Sequence, residues 1–210
     1  MEKKTKHQEK RERTNQALVA AARKLFAERG FYETATEEIV QIAGVTRGAL
    51  YYQFQDKGDL FRVVVEQLQA EITAESERAI DEVVRETGDR WQGMLTGARM
   101  FLELHLRPDI ARILGLEGPA ALGVKTYRQI SRKHLFGLLL QQVEALKAEG
   151  QLPDEPTEAL AQMIAGAVRG ATLYLLESDH GGENPEVTLR RAIRLMEAAL
   201  TGLRTDRGVA

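Results

Sequence analysis

Helical periodicity runs through almost the whole chain and restricts it to one fold class. Segments rich in Ala, Leu, Glu, Arg and Gln alternate with Gly, Pro and Asx residues, and no segment shows the two-residue alternation of a strand. The chain has 210 residues, of which 43% are hydrophobic, so it can build one domain or two small ones with a real core. We therefore expect an all-α protein.

Gly and Pro residues mark the expected helix ends. The first helix is predicted over 11–29, where Leu18, Leu25 and Phe26 share a face and Gly30 ends the helix. Asn184 and Pro185 have the order expected at a helix start. The longer helices are predicted at about 59–86, 89–105, 108–115, 122–149, 156–178 and 185–204.

Residues 36–54 predict two short helices joined by a tight turn. Thr36 can cap the first helix, and Glu37 suits the positive end of its dipole. Gly44 tolerates the left-handed backbone that the turn needs, and Thr46 can cap the second helix. This arrangement is a helix-turn-helix, whose second helix lies in the major groove of DNA.

A longer segment resembles a known family. Residues 14–61 contain AARKLFAERGF, a Thr before the second helix, AGVTRGALYYQF, and Lys57 followed by Leu60 and Phe61. These motifs resemble the DNA-binding domain of the TetR family of bacterial repressors, and the rest of the chain agrees with that family only in layout. Val40 is a departure, because the family often has Ala there.

The resemblance implies a domain organisation and a set of DNA contacts. It implies an N-terminal three-helix DNA-binding domain over 1–57 and a larger helical ligand-binding and dimerisation domain over 58–210. Arg47 is the best candidate for reading a guanine edge, because its fork matches O6 and N7, and Gly48 lets the backbone approach the DNA. The predicted DNA-binding residues are Thr36, Thr46, Arg47, Gly48, Tyr51, Tyr52, Gln53 and Lys57.

Net charge argues against DNA binding by the whole surface. The chain has 29 Lys+Arg against 31 Asp+Glu, a net charge of −2. Residues 1–60 carry 11 and 9 of these, net +2, and the other 150 carry 18 and 22, net −4. Residues 1–13 hold six basic and three acidic side chains, and we expect this arm to be flexible and to contact the DNA backbone. A solvated terminus without contacts is the alternative.

The middle helices of the second domain are predicted to enclose an effector cavity, as the resemblance implies. Its lining would be mainly apolar with a few polar groups, although each residue alone also fits an ordinary core. Arg112, Arg128 and His105 could bind an anionic head group of the effector. The predicted pocket residues are Trp91, Met94, Phe101, His105, Arg112, Tyr127, Arg128 and Tyr174.

The last two helices predict self-association. In the final helix, apolar residues recur at three- and four-residue spacing over about half the circumference, and the helix before it is rich in small residues. We expect a four-helix interface with a second copy, as the resemblance also implies; burial within one chain is the alternative. The predicted interface residues are Ala167, Gly170, Ala171, Leu189, Ile193, Met196 and Leu200.

Other classes of function lack a motif. The chain has no Cys, which excludes thiolate metal sites and cysteine nucleophiles, and its four His residues show no metal-ligand spacing. No catalytic pair or cofactor motif is present, so we predict a protein that is not an enzyme and uses no cofactor or metal.

Residues 159–176 are apolar, but Arg169 argues against a membrane span, and no targeting segment is visible. We expect a cytoplasmic protein.

We therefore predict a homodimeric transcriptional repressor that binds a palindromic DNA operator and is released by an unknown small-molecule effector. Two alternatives stay open: a helical enzyme that binds a small molecule, and a protein–protein adaptor whose helix-turn-helix is only a scaffold. Selection of binding sites from random DNA discriminates the repressor from both alternatives.

Overall fold

The computed structural model describes residues 5–176 and 184–205, and this part of the chain is helical and contains no strand, as predicted. By contact it divides into two compact units. The first unit holds the described residues up to Leu68 together with Pro108–Tyr127, and the second holds Gln69–Arg107 and the described residues from Arg128 onwards. The first unit thus contains more than the predicted domain 1–57, and the boundary at residue 57 stays a prediction.

The first unit is a small helical domain with an aromatic core. Its N-terminal helices are α1 (Lys6–Arg29), α2 (Thr36–Ala43), α3 (Arg47–Gln53) and the beginning of α4 (Lys57–Thr87). Phe26 and Phe61 pack edge to face with ring centroids 5.0 Å apart, and Phe31 packs on Phe61 at 4.9 Å. The expected core positions Leu18, Leu25, Phe26, Leu50 and Phe54 are all buried.

Helix α1 begins five residues earlier than expected. The Thr5 hydroxyl accepts the Gln8 N–H at 3.3 Å, and the Gln8 side chain accepts the Thr5 N–H at 2.8 Å, which closes a capping box. The residues that follow are mostly good helix formers. The prediction of a flexible arm is therefore wrong for residues 6–13, which are helical, and residues 1–4 lie outside the described part.

The segment after residue 108 packs on the end of α1. It forms α6 (Pro108–Ile110), a π-helical stretch (Ala111–Glu117) and α7 (Gly118–Leu122), so the single helix predicted at 108–115 is wrong. Asp109 pairs with Arg23 at 2.7 Å, and the Glu117 carboxylate accepts the Phe31 N–H at 2.5 Å. A Cβ on Gly30 would overlap this carboxylate. These contacts join positions 86 residues apart in sequence.

The second unit is a helical bundle. Beyond the later part of α4, it contains α5 (Arg90–Leu104), most of α8 (Val124–Lys133), α9 (Leu135–Ala148), α10 (Thr157–Leu176) and α11 (Pro185–Thr201). The predicted helix 122–149 is broken at His134, whose ψ of −107° is not helical. A Cβ on Gly137 would lie 2.6 Å from the Arg132 carbonyl oxygen, so this break requires the glycine.

The core of the second unit lies between α5, α9, α10 and α11. Large apolar side chains from all four helices are buried there, among them Trp91, Val143, Ile164 and Met196. On its other side, α5 approaches α4 closely because it carries glycine at the contact: a Cβ on Gly93 would lie 2.7 Å from the Val84 side chain.

Candidate DNA-binding surface

The turn between α2 and α3 is built as the sequence predicts. Gly44 adopts the left-handed conformation with φ 65° and ψ 32°. The Val45 N–H donates to the Val40 carbonyl at 3.0 Å, which satisfies the end of α2. The Thr46 hydroxyl accepts the Ala49 N–H at 3.2 Å and caps α3. The two helices are therefore held at a defined turn.

The beginning of α2 differs from the prediction. Ala35 is the N-cap residue, and Glu38 accepts its N–H at 3.4 Å. Thr36 is the first helical residue, and its hydroxyl donates to Glu37 at 3.2 Å. The predicted capping role of Thr36 is wrong because the chain already has helical dihedrals at this residue. Thr36 still lies at a helix N-terminus, where backbone N–H groups favour an anion.

The outer face of α3 is exposed and carries three of the predicted DNA-binding side chains. The Arg47 side chain is 65% exposed, and Tyr51 and Tyr52 are 45% and 68% exposed. Leu50, on the opposite face, is fully buried. The Cα of Gly48 faces open space, since a Cβ there would meet only the Thr46 hydroxyl at 3.9 Å. Helix α3 thus presents a cation, two aromatic rings and accessible backbone.

The Arg47 guanidinium has two neighbours, one on each helix of the turn. It lies 3.0 Å from a carboxylate oxygen of Glu37 on α2 and 5.6 Å from the ring centroid of Tyr51 on α3. A hydrogen bond with Tyr51 and the charge of Glu37 raise the pKa of Arg47. The pKa of Glu37 is lowered first by its own backbone N–H, then by the Thr36 hydroxyl and the Arg47 charge. Sequence reasoning gave Glu37 only a helix-dipole role and missed this contact.

The start of α1 packs on the end of α3. The Gln53 side-chain amide donates to the Arg11 carbonyl oxygen at 3.1 Å, and the Arg11 guanidinium lies 5.8 Å from the Tyr52 ring centroid. Gln53 therefore has a structural partner in this structure. Arg11 therefore lies beside the exposed surface of α3, a contact that the sequence did not predict.

Lys57 is half-buried and makes structural contacts. Its ammonium donates to the carbonyl oxygens of Phe31 at 2.7 Å and Thr34 at 2.9 Å, and it lies 4.5 Å from the Phe31 ring centroid. These contacts fix the loop between α1 and α2. The geometry of Lys57 does not support the predicted phosphate contact.

The predicted effector residues fall into separate groups. Trp91 and Met94 are buried in the core of the second unit, and Tyr174 packs on that core. The rings of Phe101 and His105 are tilted by 44° with centroids 4.3 Å apart, and His105 Nδ1 lies 2.8 Å from the Phe101 carbonyl oxygen. Burial lowers the pKa of His105, against a smaller opposite effect of that hydrogen bond. Burial therefore favours the neutral form of His105.

Three other predicted pocket residues do not join these groups. Arg112 and Tyr127 belong to the first unit, where they donate to the carbonyl oxygens of Glu28 and Leu114. Arg128 is exposed. Two open surface grooves of the second unit lie near Glu144 and Ala148, and neither is lined by a predicted pocket residue. Within residues 5–176 and 184–205, no cluster of three or more His, Asp or Glu could hold a metal ion.

The predicted interface residues differ in burial. Met196 and Leu200 are buried in the core of the second unit, while Gly170 is exposed, and the other predicted residues are half-buried. Large apolar side chains outside the set of predicted interface residues are exposed on the same two helices: Met163 at 63%, Leu173 at 41% and Leu195 at 58%. A Cβ on Gly166 or Gly170 would meet no atom within 4 Å, so the α10 backbone is accessible there.

Two family models match the chain, one near its N-terminus and one over its C-terminal half. The model described as bacterial regulatory proteins of the tetR family matches residues 18–64, and the model of the tetracyclin repressor-like C-terminal domain matches residues 91–203. The second match covers more than half of the chain. This chain belongs to the TetR family. TetR-family membership makes it a helix-turn-helix regulator of transcription and gives no indication of catalysis.

Individual relatives agree with the TetR assignment. The HTH-type transcriptional repressor BepR of Brucella suis is 44% identical over 52 residues, which are 25% of either chain. The match thus spans only a quarter of that curated relative. A TetR-family regulator from Pectobacterium atrosepticum is 30% identical, with a TM-score of 0.73 over 97% of this chain and 99% of its own. RolR, solved with resorcinol, shares the fold at 20% identity, with a TM-score of 0.65 over 96% and 97% of the two chains.

Proposed function

We propose that this protein is a homodimeric repressor that binds a palindromic operator and leaves it when a small molecule binds. The observation that carries the proposal is the exposed face of α3, where Arg47, Tyr51 and Tyr52 project from a well-capped helix-turn-helix. In such a dimer the two recognition helices lie about 34–36 Å apart, one turn of DNA.

The DNA contacts divide into base contacts and backbone contacts. We assign Arg47 to a guanine edge, Tyr51 and Tyr52 to phosphate or a thymine methyl group, and Gly48 to close backbone approach. Thr36 and Thr46 lie at helix N-termini, which favour phosphate. Gln53 and Lys57 support the surface from within through the contacts that they already make.

The first turns of α1 add basic charge to the proposed surface. Lys6, Lys10, Arg11 and Arg13 are exposed, and Arg11 contacts Tyr52 of α3. We expect them to contact the DNA backbone. A variant lacking residues 2–10 should bind the operator more weakly and with a shallower salt dependence, because fewer counterions are released. Unchanged affinity and salt dependence would contradict this contact.

The proposed dimer forms through the exposed faces of α10 and α11. Met163, Gly166, Gly170 and Leu173 recur on one side of α10, and Leu195 lies on α11. Glycine permits close helix approach, and exposed Met and Leu side chains gain from burial. The half-buried Ala167, Ala171, Leu189 and Ile193 flank this face, whereas Met196 and Leu200 contribute to the core beneath it.

An effector would bind within the second unit. Gln69 Oε1 and Ser76 Oγ are buried and have no hydrogen-bond partner among the described residues. They lie seven residues apart on α4, hence on one face, and a ligand donor would satisfy them. The structure of RolR with resorcinol shows that one protein of this fold takes a small molecule. An effector that favours a dimer spacing unsuited to DNA would release the operator.

A cytoplasmic location is the simplest for a DNA-binding protein. Helix α10 is long and apolar enough by composition to span a membrane, with a mean hydropathy of 1.3. It packs against α9 and α11, however, and exposes Gln162 and Arg169. An Arg in a bilayer centre costs about 2.5–3.5 kcal/mol. We therefore propose that α10 is a bundle helix.

Selection from random double-stranded DNA by the full chain tests the proposed function. Enrichment of a palindrome, with two half-sites one helical turn apart, would support it. Failure to enrich any sequence under low-salt conditions would contradict it and would favour the adaptor, in which the helix-turn-helix is only a scaffold.

A further inference from the structure

One carboxylate lies in the middle of the proposed DNA-binding surface. Glu37 is 60% exposed, and it touches two of the residues assigned to DNA. Its Oε2 accepts the Thr36 hydroxyl at 3.2 Å, and its Oε1 lies 3.0 Å from Arg47 Nη1. The Tyr51 ring centroid lies 5.6 Å from the same guanidinium. Glu37 therefore connects α2 to the reading face of α3.

Stabilising the start of α2 is one role of Glu37, but that role does not require its contact with Arg47. Its neighbour Glu38 pairs with Arg29 and accepts the N–H of Ala35, so Glu38 already fixes the start of α2. An exposed ion pair such as Glu37–Arg47 contributes little stability. A carboxylate at this place also weakens binding to any DNA, because it repels phosphate and cancels part of the charge of Arg47.

We propose that Glu37 is a specificity-determining residue that acts by positioning Arg47. This inference rests on the proposed function of the helix-turn-helix. In this proposal the Glu37 carboxylate, 3.0 Å from Arg47 Nη1, and the adjacent Tyr51 side chain restrict the orientation of the guanidinium, and N–H donors not used by them bind guanine O6 and N7. Arg47 therefore reaches a guanine with little loss of side-chain freedom.

The same contact disfavours DNA that has no guanine at this position. To reach a phosphate instead, Arg47 must leave Glu37, and the carboxylate is then unpaired beside the polyanion. Binding to the wrong sequence loses one ion pair and gains a repulsion. The ratio of operator to non-specific affinity rises, although the affinity for all DNA is lower than it would be without Glu37.

The decisive variant is Glu37→Gln in the full chain. We would measure its affinity for the selected operator, for operators with single base changes and for scrambled DNA at several salt concentrations. We expect scrambled DNA to bind about fivefold tighter, because one repulsive charge is removed. The salt slope should steepen by up to about 1. The operator-to-scrambled ratio should fall about tenfold, with the loss concentrated at the base pair that Arg47 reads.

Two further variants separate charge from position. Glu37→Asp keeps the charge but is one methylene shorter, so we expect it to lose base preference without tighter binding to scrambled DNA. In an Arg47→Ala background, Glu37→Gln should still tighten scrambled binding but should change no base preference. Glu33→Gln removes an exposed carboxylate from the loop before α2 and serves as the matched control, with base preference retained.

The outcomes distinguish this inference from the proposed function. If the unmodified chain selects an operator and Glu37→Gln retains its full base preference, the role of Glu37 is refuted and the function stands. The same conclusion follows if Glu37→Gln changes base preference equally with and without Arg47. If the unmodified chain selects no sequence at all, both are refuted. Circular dichroism melting of each variant checks that the fold is retained.

Discussion

At the scale of single residues, Arg47 carries the clearest prediction. Its side chain is 65% exposed, so Arg47→Ala should leave the free energy of unfolding almost unchanged. Operator binding should weaken by about 1–3 kcal/mol, with one base preference relaxed. Competition gel shifts with operator variants measure both effects.

Arg132→Ala is a suitable control for Arg47→Ala. Arg132 is also exposed, at 62%, and it also pairs with a glutamate, Glu158 at 2.9 Å, but it lies on α8 in the second unit. Its replacement should alter neither affinity nor sequence preference. Equal losses in the two variants would mean that Arg47 contributes only unspecific charge.

His105 predicts a pH dependence of stability. Burial lowers its pKa in the folded state, whereas the unfolded chain has the ordinary value of about 6.5. Both states hold a neutral ring above that pH. Below it, the unfolded state binds the proton first, so the free energy of unfolding falls as the pH falls from about 6.5 towards the folded-state pKa.

The variant His105→Phe isolates this effect. It keeps an aromatic ring against Phe101 but cannot titrate. Urea unfolding at about pH 7.5 and 5.5 should show a smaller loss of stability for the variant than for the unmodified chain. If both lose the same amount, the effect comes from other groups.

At the scale of elements, two glycines of the helix-turn-helix should respond oppositely to a methyl group. Gly44 has φ 65°, so Gly44→Ala should destabilise the first unit by about 1 kcal/mol through backbone strain alone. Gly48 has helical dihedrals and open space, so Gly48→Ala should stabilise α3 by about 0.5–1 kcal/mol. Thermal unfolding measures both differences.

The effect of Gly48→Ala on operator affinity should be opposite to its effect on stability. The added methyl group of Gly48→Ala lies on the proposed DNA face, so operator affinity should fall although stability rises. A rise in stability together with unchanged affinity would show that the α3 backbone does not approach the DNA at this point.

At the scale of the whole molecule, the weak charge of the DNA-binding region bears on the proposed dimer. Residues 1–60 have a net charge of only +2, and the remainder has −4. Because this net positive charge is small, we expect two linked half-sites of the proposed dimer to supply much of the affinity.

Leu195→Glu tests this dependence. Leu195 is 58% exposed, so the variant protomer should fold normally, while a charge would be buried at the proposed interface. Sedimentation should show a monomer, and binding to the palindrome should fall to the level of a half-site. Leu106→Glu, at a residue that is 47% exposed on the second unit, should remain dimeric. A dimer in both cases would place the interface elsewhere.

Much of the first unit was predictable because its signals are local. Helix ends depend on the dihedral freedom of Gly44, the capping hydroxyl of Thr46 and the spacing of Leu18, Leu25 and Phe26, all of which lie within a few residues of their effect. The earlier start of α1 was missed although its Thr5–Gln8 capping box is also local. The break at His134 was missed because no Pro or Gly stands at that residue, and the close approach of Gly137 to the Arg132 carbonyl oxygen is visible only in the structure.

By itself, then, the sequence determined an all-α chain with a helix-turn-helix of the TetR family, because helix propensity, caps and periodicity are properties of short segments. Tertiary structure alone decided the roles of several predicted site residues. The Lys57 ammonium donates to carbonyl oxygens of the α1–α2 loop, which gives Lys57 a structural role. Arg47 pairs with Glu37, which lies on a different helix. Arg23 pairs with Asp109, which lies 86 residues further along the chain. These pairs form because packing brings separate segments together, and no pattern within a short segment predicts which charged side chains will lie close to each other.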